Sequence, residues 1–173
     1  MKNYLISFCL IMSSIIAFAQ QKIIVDTNVV VTLPNNYLIY EDLAFREKTI
    51  KEYHFVIESM FRNSFKVDNT VIRLFNKSGE RKDDILASTK RLFDYKSPPS
   101  DYDPDRTTEY LLFNGNKFLL VHYRNRNSGH FKLSCYNSDP PNLFFGDVDY
   151  VLGEKEKAKS LIIEIMKSLV FIR

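Results

Sequence analysis

Glycine, cysteine, histidine and tryptophan are scarce in this sequence of 173 residues, which contains five glycines, two cysteines, three histidines and no tryptophan. The glycines do not cluster, whereas a phosphate-binding loop or a dinucleotide-binding turn needs several glycines within a few residues. The G-x-S-x-G and H-E-x-x-H motifs are absent as well. The sequence therefore excludes several common enzyme designs. Gly146 is predicted within a strand, and the other four are predicted at turns or helix boundaries: Gly79, Gly115, Gly129 and Gly153.

The first 19 residues, MKNYLISFCLIMSSIIAFA, have the pattern of a cleaved signal peptide. Lys2 supplies a positive charge near the start, an apolar run follows from Tyr4 to Ala17, and residues 17 to 19 fit the A-x-A cleavage pattern. The apolar run is shorter than the roughly 20 residues of a membrane-spanning helix, so an uncleaved anchor is the weaker alternative. We predict cleavage before Gln20 and export to the periplasm or the extracellular space.

Residues 20 to 173 carry a net charge of +2, because Lys2 is the only charged residue lost from a total of +3. A chain of this length can bury about two-thirds of its unfolded surface, which is enough for one domain with its own core. We therefore predict a single domain over residues 20 to 173. Acidic and basic residues are interspersed, which argues against a nucleic-acid partner. No second apolar run is long enough to cross a membrane.

Cys9 would leave with the signal peptide, so Cys135 would be the only cysteine of the exported protein and could form no internal disulfide. In the segment HFKLSCYN, strand alternation places Phe131, Leu133 and Cys135 on one face. We predict a buried, unreactive thiol, because free cysteine commonly packs as a small apolar residue. A catalytic pair of Cys135 with His122 on a neighbouring strand is the alternative, and it would need a third orienting group and an open pocket.

The first half of the chain alternates strand and helix patterns. β-Branched and apolar residues predict strands over residues 22–33, 37–40 and 70–75. Apolar residues at three- and four-residue spacing predict helices over residues 46–64 and around 85–93. The proline-rich segment KSPPSDYDPDR, residues 96 to 106, is predicted as a loop.

The second half predicts four consecutive strands and a final helix. Asn114-Gly115 lies between two strand-like runs, which is the pairing that a tight hairpin turn favours. Further turns at residues 126–129 and 138–141 complete an antiparallel meander. A helix over residues 154–169 follows, with an apolar stripe. The predicted fold class is α+β, a single sandwich of α/β/α type in which helices, including a C-terminal helix, pack on an antiparallel sheet.

This order of elements resembles the PsbP/DcrB-like fold of thylakoid-lumen and bacterial envelope proteins. The resemblance lies in a strand that ends in Leu-Pro before an aromatic residue (VVVTLPNNY), a late meander, and a terminal helix closing on SLVF, and it covers about residues 28 to 171. The chain departs from the pattern at Tyr37, where such proteins often have tryptophan, and in a longer first helix. The resemblance implies a non-enzymatic accessory, chaperone-like or binding role. It supplies no shared catalytic residues.

Two groups of residues suggest metal ligands, and for both an ordinary polar role is favoured. His54 and Glu58 share one helical face, but nothing nearby supplies a third ligand. The residues Asp101, Asp103 and Asp105 match the opening of a calcium loop, yet arginine follows where the loop needs glycine, and leucine stands where it needs its closing glutamate. We predict no metal and no cofactor.

Asp147 and Asp149 lie on one strand face, and a carboxylate pair of this kind can hydrolyse glycosides. A solvated sheet face is the favoured interpretation, because the absence of tryptophan removes the usual platform for a sugar. His122 shares a strand face with Phe118 and Leu120, which predicts a partly buried histidine with satisfied hydrogen bonds.

The sequence favours a non-catalytic exported binding or accessory protein, with another envelope or secreted protein as its partner. An inhibitor or immunity-type protein against a secreted toxin or hydrolase is the alternative, and a hydrolase built on the aspartate pair is the third hypothesis. Loops held by a rigid scaffold often bind partners, and tyrosine and arginine are favoured at interface hot spots. The predicted partner-binding residues are Tyr102, Tyr123, Arg124 and Arg126.

Overall fold

The computed structural model describes residues 20–41, 43–53, 62–79, 84–96, 105–125, 127–139 and 141–172. Three helices are assigned within these ranges: α1 (Leu43–Tyr53), α2 (Ile85–Lys96) and α3 (Lys155–Ser168). The same ranges contain ten strands: β1 (Gln20–Val25), β2 (Val29–Pro34), β3 (Leu38–Ile39), β4 (Ser64–Val67), β5 (Thr70–Ser78), β6 (Thr107–Phe113), β7 (Asn116–Arg124), β8 (Ser128–Ser138), β9 (Pro141–Val151) and β10 (Val170–Phe171).

Seven strands form one antiparallel sheet in the order β3-β4-β5-β9-β8-β7-β6. The strands β6 to β9 are neighbours in chain order, so the predicted meander is confirmed. Its first turn lies at Asn114-Gly115, where both residues have positive φ angles of 50° and 79°, as a type I′ turn requires. A smaller sheet has the order β1-β2-β10.

One face of the seven-stranded sheet packs against α3 and the small sheet, and we call it the α3 face. Side chains from five strands of the large sheet join those of β2 and α3 in one apolar core. Buried residues of α3 recur at three- and four-residue spacing, as a single apolar stripe requires: Ala158, Ile162, Ile165 and Met166. Burying one large apolar side chain contributes about 1.5–3 kcal/mol, so this face supplies much of the stability of the fold.

The opposite face, which we call the α2 face, is covered in part by α2. Leu86 of α2 packs with Leu119 and Val121 of β7, and half-buried aromatic residues surround this second cluster. Helices therefore pack on both faces of the sheet. The predicted α+β class with a C-terminal helix is confirmed. Within the described residues, no helix has the length and apolar character needed to cross a membrane.

The single strand predicted over residues 22–33 is wrong, because this segment is a hairpin of β1 and β2. Asp26 and Thr27 form the turn, with φ angles of 49° and 66°. The Asp26 carboxylate stabilises it by accepting hydrogen bonds from the backbone N–H of Asn76 at 3.0 Å and from Asn63 Nδ2 at 3.3 Å. Asp26 and Asn28 are residue types that favour turns, and the prediction of one continuous strand overlooked this signal within the β-branched run.

The helix predicted over residues 46–64 differs at both ends. Helix α1 begins at Leu43 and is described to Tyr53, residues 54–61 lie outside the described ranges, and Ser64 already begins strand β4. Phe65 fits the helical spacing of apolar residues, but it is a strand residue that pairs with Ile72 and is 4% exposed. A tight turn around Asp68, which has a φ of 51°, returns the chain into β5.

Gly129 was predicted in a turn but lies in β8, directly opposite Tyr150 of β9. A Cβ atom at this position would lie 2.0 Å from the Tyr150 ring. Glycine is therefore needed here because the tyrosine ring packs over its backbone on the α3 face.

Candidate functional site

Five ionisable side chains lie together on the α2 face, on the adjacent strands β5, β9 and β8. We call this set the charge cluster: Arg73, His130, Lys132, Asp147 and Asp149. In the strand register, Arg73 and Lys132 lie on either side of Asp147, and His130 lies opposite Asp149. Directly opposed residues of antiparallel strands project from the same face, so strand pairing alone brings these side chains together.

Short ion pairs and a hydrogen bond from His130 join the members of the charge cluster. Arg73 Nη1 lies 2.6 Å from Asp149 Oδ2, and His130 Nδ1 lies 2.5 Å from Asp149 Oδ1. Lys132 Nζ lies 3.0 Å from Asp147 Oδ1. Arg73 is only 4% exposed, and a buried charge is costly unless it has an opposite charge beside it. Asp149 therefore holds both Arg73 and His130 in place.

The surroundings fix the charges of two cluster members. Burial disfavours the charged form of Asp149, but the hydrogen bond from His130 and the charge of Arg73 outweigh it and hold the pKa of Asp149 below its ordinary value. Burial also disfavours the charged form of Lys132, but the neighbouring Asp147 outweighs it and raises the pKa of Lys132. Both groups are therefore charged at neutral pH.

The connection between β7 and β8 brings a serine to the charge cluster. Ser128 Oγ lies 3.0 Å from His130 Nε2 and 2.9 Å from Asn125 Oδ1. Asn125 Nδ2 lies 2.7 Å from the same nitrogen of His130. The ring of Tyr123 stacks on the His130 imidazole, with centroids 4.9 Å apart and an interplanar angle of 18°. His130 thus connects the turn between β7 and β8 to Asp149.

A cavity of about 190 Å³ lies between α2 and the sheet, beside the charge cluster. The stacked rings of Phe75 and Phe145, with centroids 4.8 Å apart, line it together with Phe93 of α2. Lys132 and Asp147 supply its charged lining. The cavity has room for a small apolar group next to an ion pair.

Two of the four predicted partner-binding residues, Tyr102 and Arg126, lie outside the described residues. Tyr123 and Arg124 are consecutive in β7, so their side chains project to opposite faces. Tyr123 is half-buried on the α2 face, and burial raises the pKa of its phenol. On the other side, Arg124 Nη1 lies 3.4 Å from Asp105 Oδ2. The structure does not bring these two residues into one patch, and their role in binding stays a prediction.

The metal-ligand alternatives fall mostly on residues that are not described, since His54, Glu58, Asp101 and Asp103 all lie outside the described ranges. Asp105 is described, and its side chain pairs with arginine as stated above. Among the described residues, no three His, Cys, Asp or Glu side chains are placed to hold a metal ion. The calcium alternative therefore depends on residues outside these ranges.

Cys135 is fully buried on the α3 face, as predicted. Burial raises the pKa of its thiol to about 12. It lies opposite Phe118, four residues along β7 from His122, which is roughly 13 Å at the rise of a strand. The structure therefore does not form the alternative pair of Cys135 with His122.

His122 is 1% exposed and has hydrogen-bond partners at both ring nitrogens, which confirms the prediction of a buried, satisfied histidine. Its Nδ1 lies 2.8 Å from the backbone carbonyl oxygen of Asp105, and its Nε2 lies 2.6 Å from the Tyr150 hydroxyl. A carbonyl can only accept, so Nδ1 carries the proton and the tyrosine hydroxyl donates to Nε2.

The predicted placement of Asp147 and Asp149 on one strand face is confirmed, but they are not a solvated pair, because each binds a basic side chain. The residues that bind them were missed. Alternation within HFKLSCYN could have placed His130 and Lys132 on the face opposite to the cysteine. Arg73 carries no such signal, because it comes from β5, far away in the sequence.

The fold is similar to the solution structure of cyanobacterial PsbP (CyanoP) from Synechocystis sp. PCC 6803, with a TM-score of 0.56 and 12% identity over 92% of this chain and 96% of that chain. The predicted resemblance to the PsbP-like fold is therefore confirmed, and at this identity the likeness concerns the fold alone. A crystal structure from Bacteroides thetaiotaomicron VPI-5482 has a TM-score of 0.49 and 10% identity over 84% of this chain and 45% of that chain, a similarity too low to support a conclusion. No protein-family model matches the sequence, and no curated protein matches it either.

Proposed function

We propose that residues 20–173 form one exported, non-catalytic binding or accessory domain whose partner is another envelope or secreted protein. The fold, which is similar to that of cyanobacterial PsbP, is compatible with such a role. The observation that carries the proposal is the arrangement of the charge cluster on one face of the sheet. Asp149 holds Arg73 and His130, and Asp147 holds Lys132. The charged groups are therefore fixed in position by one another.

Fixed charges of both signs suit recognition. The cluster is partly open to solvent through Lys132 and Asp149, whose side chains are 36% and 31% exposed. Electrostatic complementarity across an interface sets partner choice and association rate more than affinity. A partner with an opposed pattern of charges would be favoured, while one with like charges would be rejected.

Export is part of the proposal. Cleavage before Gln20 would keep every described residue of strand β1, which pairs with β2 from Gln20 to Val25. The N-terminal sequence of the protein isolated from its native source tests this directly. A sequence that begins at Met1 would refute cleavage.

The binding role is tested by affinity capture from the native envelope, followed by mass spectrometry and a binding titration with the captured protein. Lys132→Ala, in the exposed part of the charge cluster, should weaken that binding by about 1 kcal/mol or more, and Arg124→Ala tests the predicted interface arginine on the opposite face in the same way. Lys117→Ala is the matched control, because Lys117 is an exposed basic residue at the other end of β7. Equal binding by all three variants would place the interface elsewhere. A captured toxin or hydrolase whose activity the protein blocks would favour the inhibitor alternative.

A further inference from the structure

The backbone fixes the orientation of the Asn125 side chain at the end of β7. Its Oδ1 accepts hydrogen bonds from the backbone N–H groups of Asn127 at 3.2 Å and Ser128 at 3.0 Å. Backbone N–H groups only donate, so the atom that faces them must be the oxygen of the carboxamide. Its nitrogen, Nδ2, is therefore the atom that lies 2.7 Å from His130 Nε2.

This orientation in turn assigns the proton of His130. The Asn125 Nδ2 group only donates, so Nε2 of His130 must carry a lone pair. The ring proton then lies on Nδ1, which donates to Asp149 Oδ1 at 2.5 Å. Arg73, held 2.6 Å from the other carboxylate oxygen, keeps Asp149 ionised. His130 is thus a neutral imidazole with its basic nitrogen directed at the hairpin turn.

Ser128 Oγ lies 3.0 Å from that basic nitrogen, but while the Asn125 carboxamide is in place the Ser128 hydroxyl donates to Asn125 Oδ1 at 2.9 Å, and only rotation of Asn125 frees Nε2 to accept it. A serine hydroxyl beside a neutral histidine, whose other nitrogen donates to a carboxylate, is the arrangement that activates serine as a nucleophile. Ser128 and His130 are two residues apart in β8 and share its α2 face, and Asp149 is the register partner of His130. Strand geometry therefore sets all three positions.

We infer that Ser128 is an acyl-accepting nucleophile, and that the Asn125 carboxamide occupies the place where the acyl carbonyl of a carboxylic ester would bind. The carboxamide oxygen receives two converging backbone N–H groups, as the oxyanion of an acyl transfer does. Its nitrogen faces His130, where a leaving group would take up its proton. Asn125 holds the site closed, and rotation of its side chain opens it.

The acyl transfer balances with these groups alone. Ser128 Oγ attacks the ester carbonyl carbon, its proton passes to His130 Nε2, and a bond forms between oxygen and carbon. The bond from carbon to the leaving oxygen then breaks, and the leaving alcohol takes the proton from His130. The product is an acyl ester on Ser128 and a free alcohol. This single transfer is independent of the proposed binding function, and it requires no turnover.

The test is acetylation of the folded protein by p-nitrophenyl acetate, with the modified residue located by peptide mass spectrometry. In the unaltered protein, Ser128 should be acetylated, while Ser134 on the same face of β8 should not. Asn125→Gly removes the carboxamide that holds the site closed and should therefore speed acetylation of Ser128 about tenfold or more. Ser128→Ala should abolish the fast reaction, whereas the matched control Ser134→Ala should not.

Two further variants test whether the Asp149 carboxylate positions His130. Asp149→Asn should slow the acetylation of Ser128 and change its pH dependence, while Glu109→Gln, which removes a carboxylate of β6 outside the charge cluster, should leave both unchanged. Circular dichroism and thermal melting establish that each variant is folded. Acetylation that spares Ser128 in the unaltered protein after prolonged incubation would overturn the inference, whether or not Asn125→Gly folds. So would a folded Asn125→Gly variant that reacts no faster than the unaltered protein.

Discussion

His122 and His130 lie on neighbouring strands of one sheet but on opposite faces, and their surroundings differ. His122, on the α3 face, is bound by a backbone carbonyl and by the hydroxyl of Tyr150. His130, on the α2 face, is bound by a carboxylate and lies beside side chains of a surface turn. The partners of His122 are part of the packed core, whereas Asn125 is exposed and Ser128 is half-buried. The α3 face stabilises the fold, and the α2 face presents polar groups that are available to other molecules.

The largest expected effect concerns the thiol of the α3 face. Cys135 should react with a polar thiol reagent about 1,000-fold or more slowly in the folded protein than in denaturant. The reagent can reach the thiol only in the small fraction of molecules whose core has opened. The burial that raises its pKa to about 12 also keeps the thiolate scarce. Labelling kinetics with and without denaturant measure this ratio. Equal rates would show that the α3 face is open to solvent.

Next in size is the loss of an aromatic side chain from each face. Phe131→Ala on the α3 face should lower the free energy of unfolding by about 3–5 kcal/mol, because the ring is fully buried against His122 and Tyr150. Phe145→Ala, the matched change on the α2 face, should cost less because Phe145 is only half-buried. Urea unfolding of the two variants measures the difference. A larger loss of unfolding free energy for Phe145→Ala would mean that the α2 face, and not the α3 face, contributes more to the stability of the fold.

A smaller loss is expected from Tyr150→Phe, which removes the hydroxyl that donates to His122 Nε2. Removing the donor to a buried acceptor costs about 1–3 kcal/mol. The control is Tyr110→Phe in β6, where the side chain is exposed and a change within about 0.5 kcal/mol is expected. Thermal or urea unfolding distinguishes these values. Identical stabilities would mean that the hydrogen bond to His122 contributes nothing.

The smallest effect is a dependence on pH. The pKa of Asp149 is lower in the folded protein than its ordinary value near 3.9. Its contribution to stability is therefore present above about pH 4 and lost as the pH falls through the lower folded value. Asp149→Asn should be less stable than the unaltered protein at pH 6, and the difference should shrink below about pH 4. Urea unfolding between pH 6 and pH 2.5 follows it, and a constant difference would contradict the assignment.

Local signals account for the parts of the fold that could be predicted. The meander rests on strand alternation and on turn residues such as Asn114-Gly115, and α3 rests on one apolar stripe. The turn at Asp26-Thr27 was missed although Asp26 and Asn28 favour turns, and the contacts that stabilise it, to Asn63 and Asn76, come from elsewhere in the sequence. Strand β4 was missed because Phe65 also fits a helical spacing.

Only pairs of site residues that lie within a single strand could be predicted from the sequence. Alternation within β9 placed Asp147 and Asp149 together, whereas His130 and Lys132 were missed although alternation within β8 could have placed them on one face. Their contact depends on the register between the strands, which the length of the connecting turn sets. Arg73 reaches the cluster because β5 pairs with β9, and no local pattern encodes a pairing between such distant segments.

The small sheet joins the two ends of the described chain. Strand β2 pairs with β1 on one side and with Val170 and Phe171 of β10 on the other, and the N–H of Ile172 donates to the Asn28 carbonyl at 2.9 Å. A growing polypeptide cannot complete this sheet until residues 170–172 have left the ribosome. Closure of this sheet therefore joins segments about 140 residues apart, and such long-range pairing is slow because a long loop must close first.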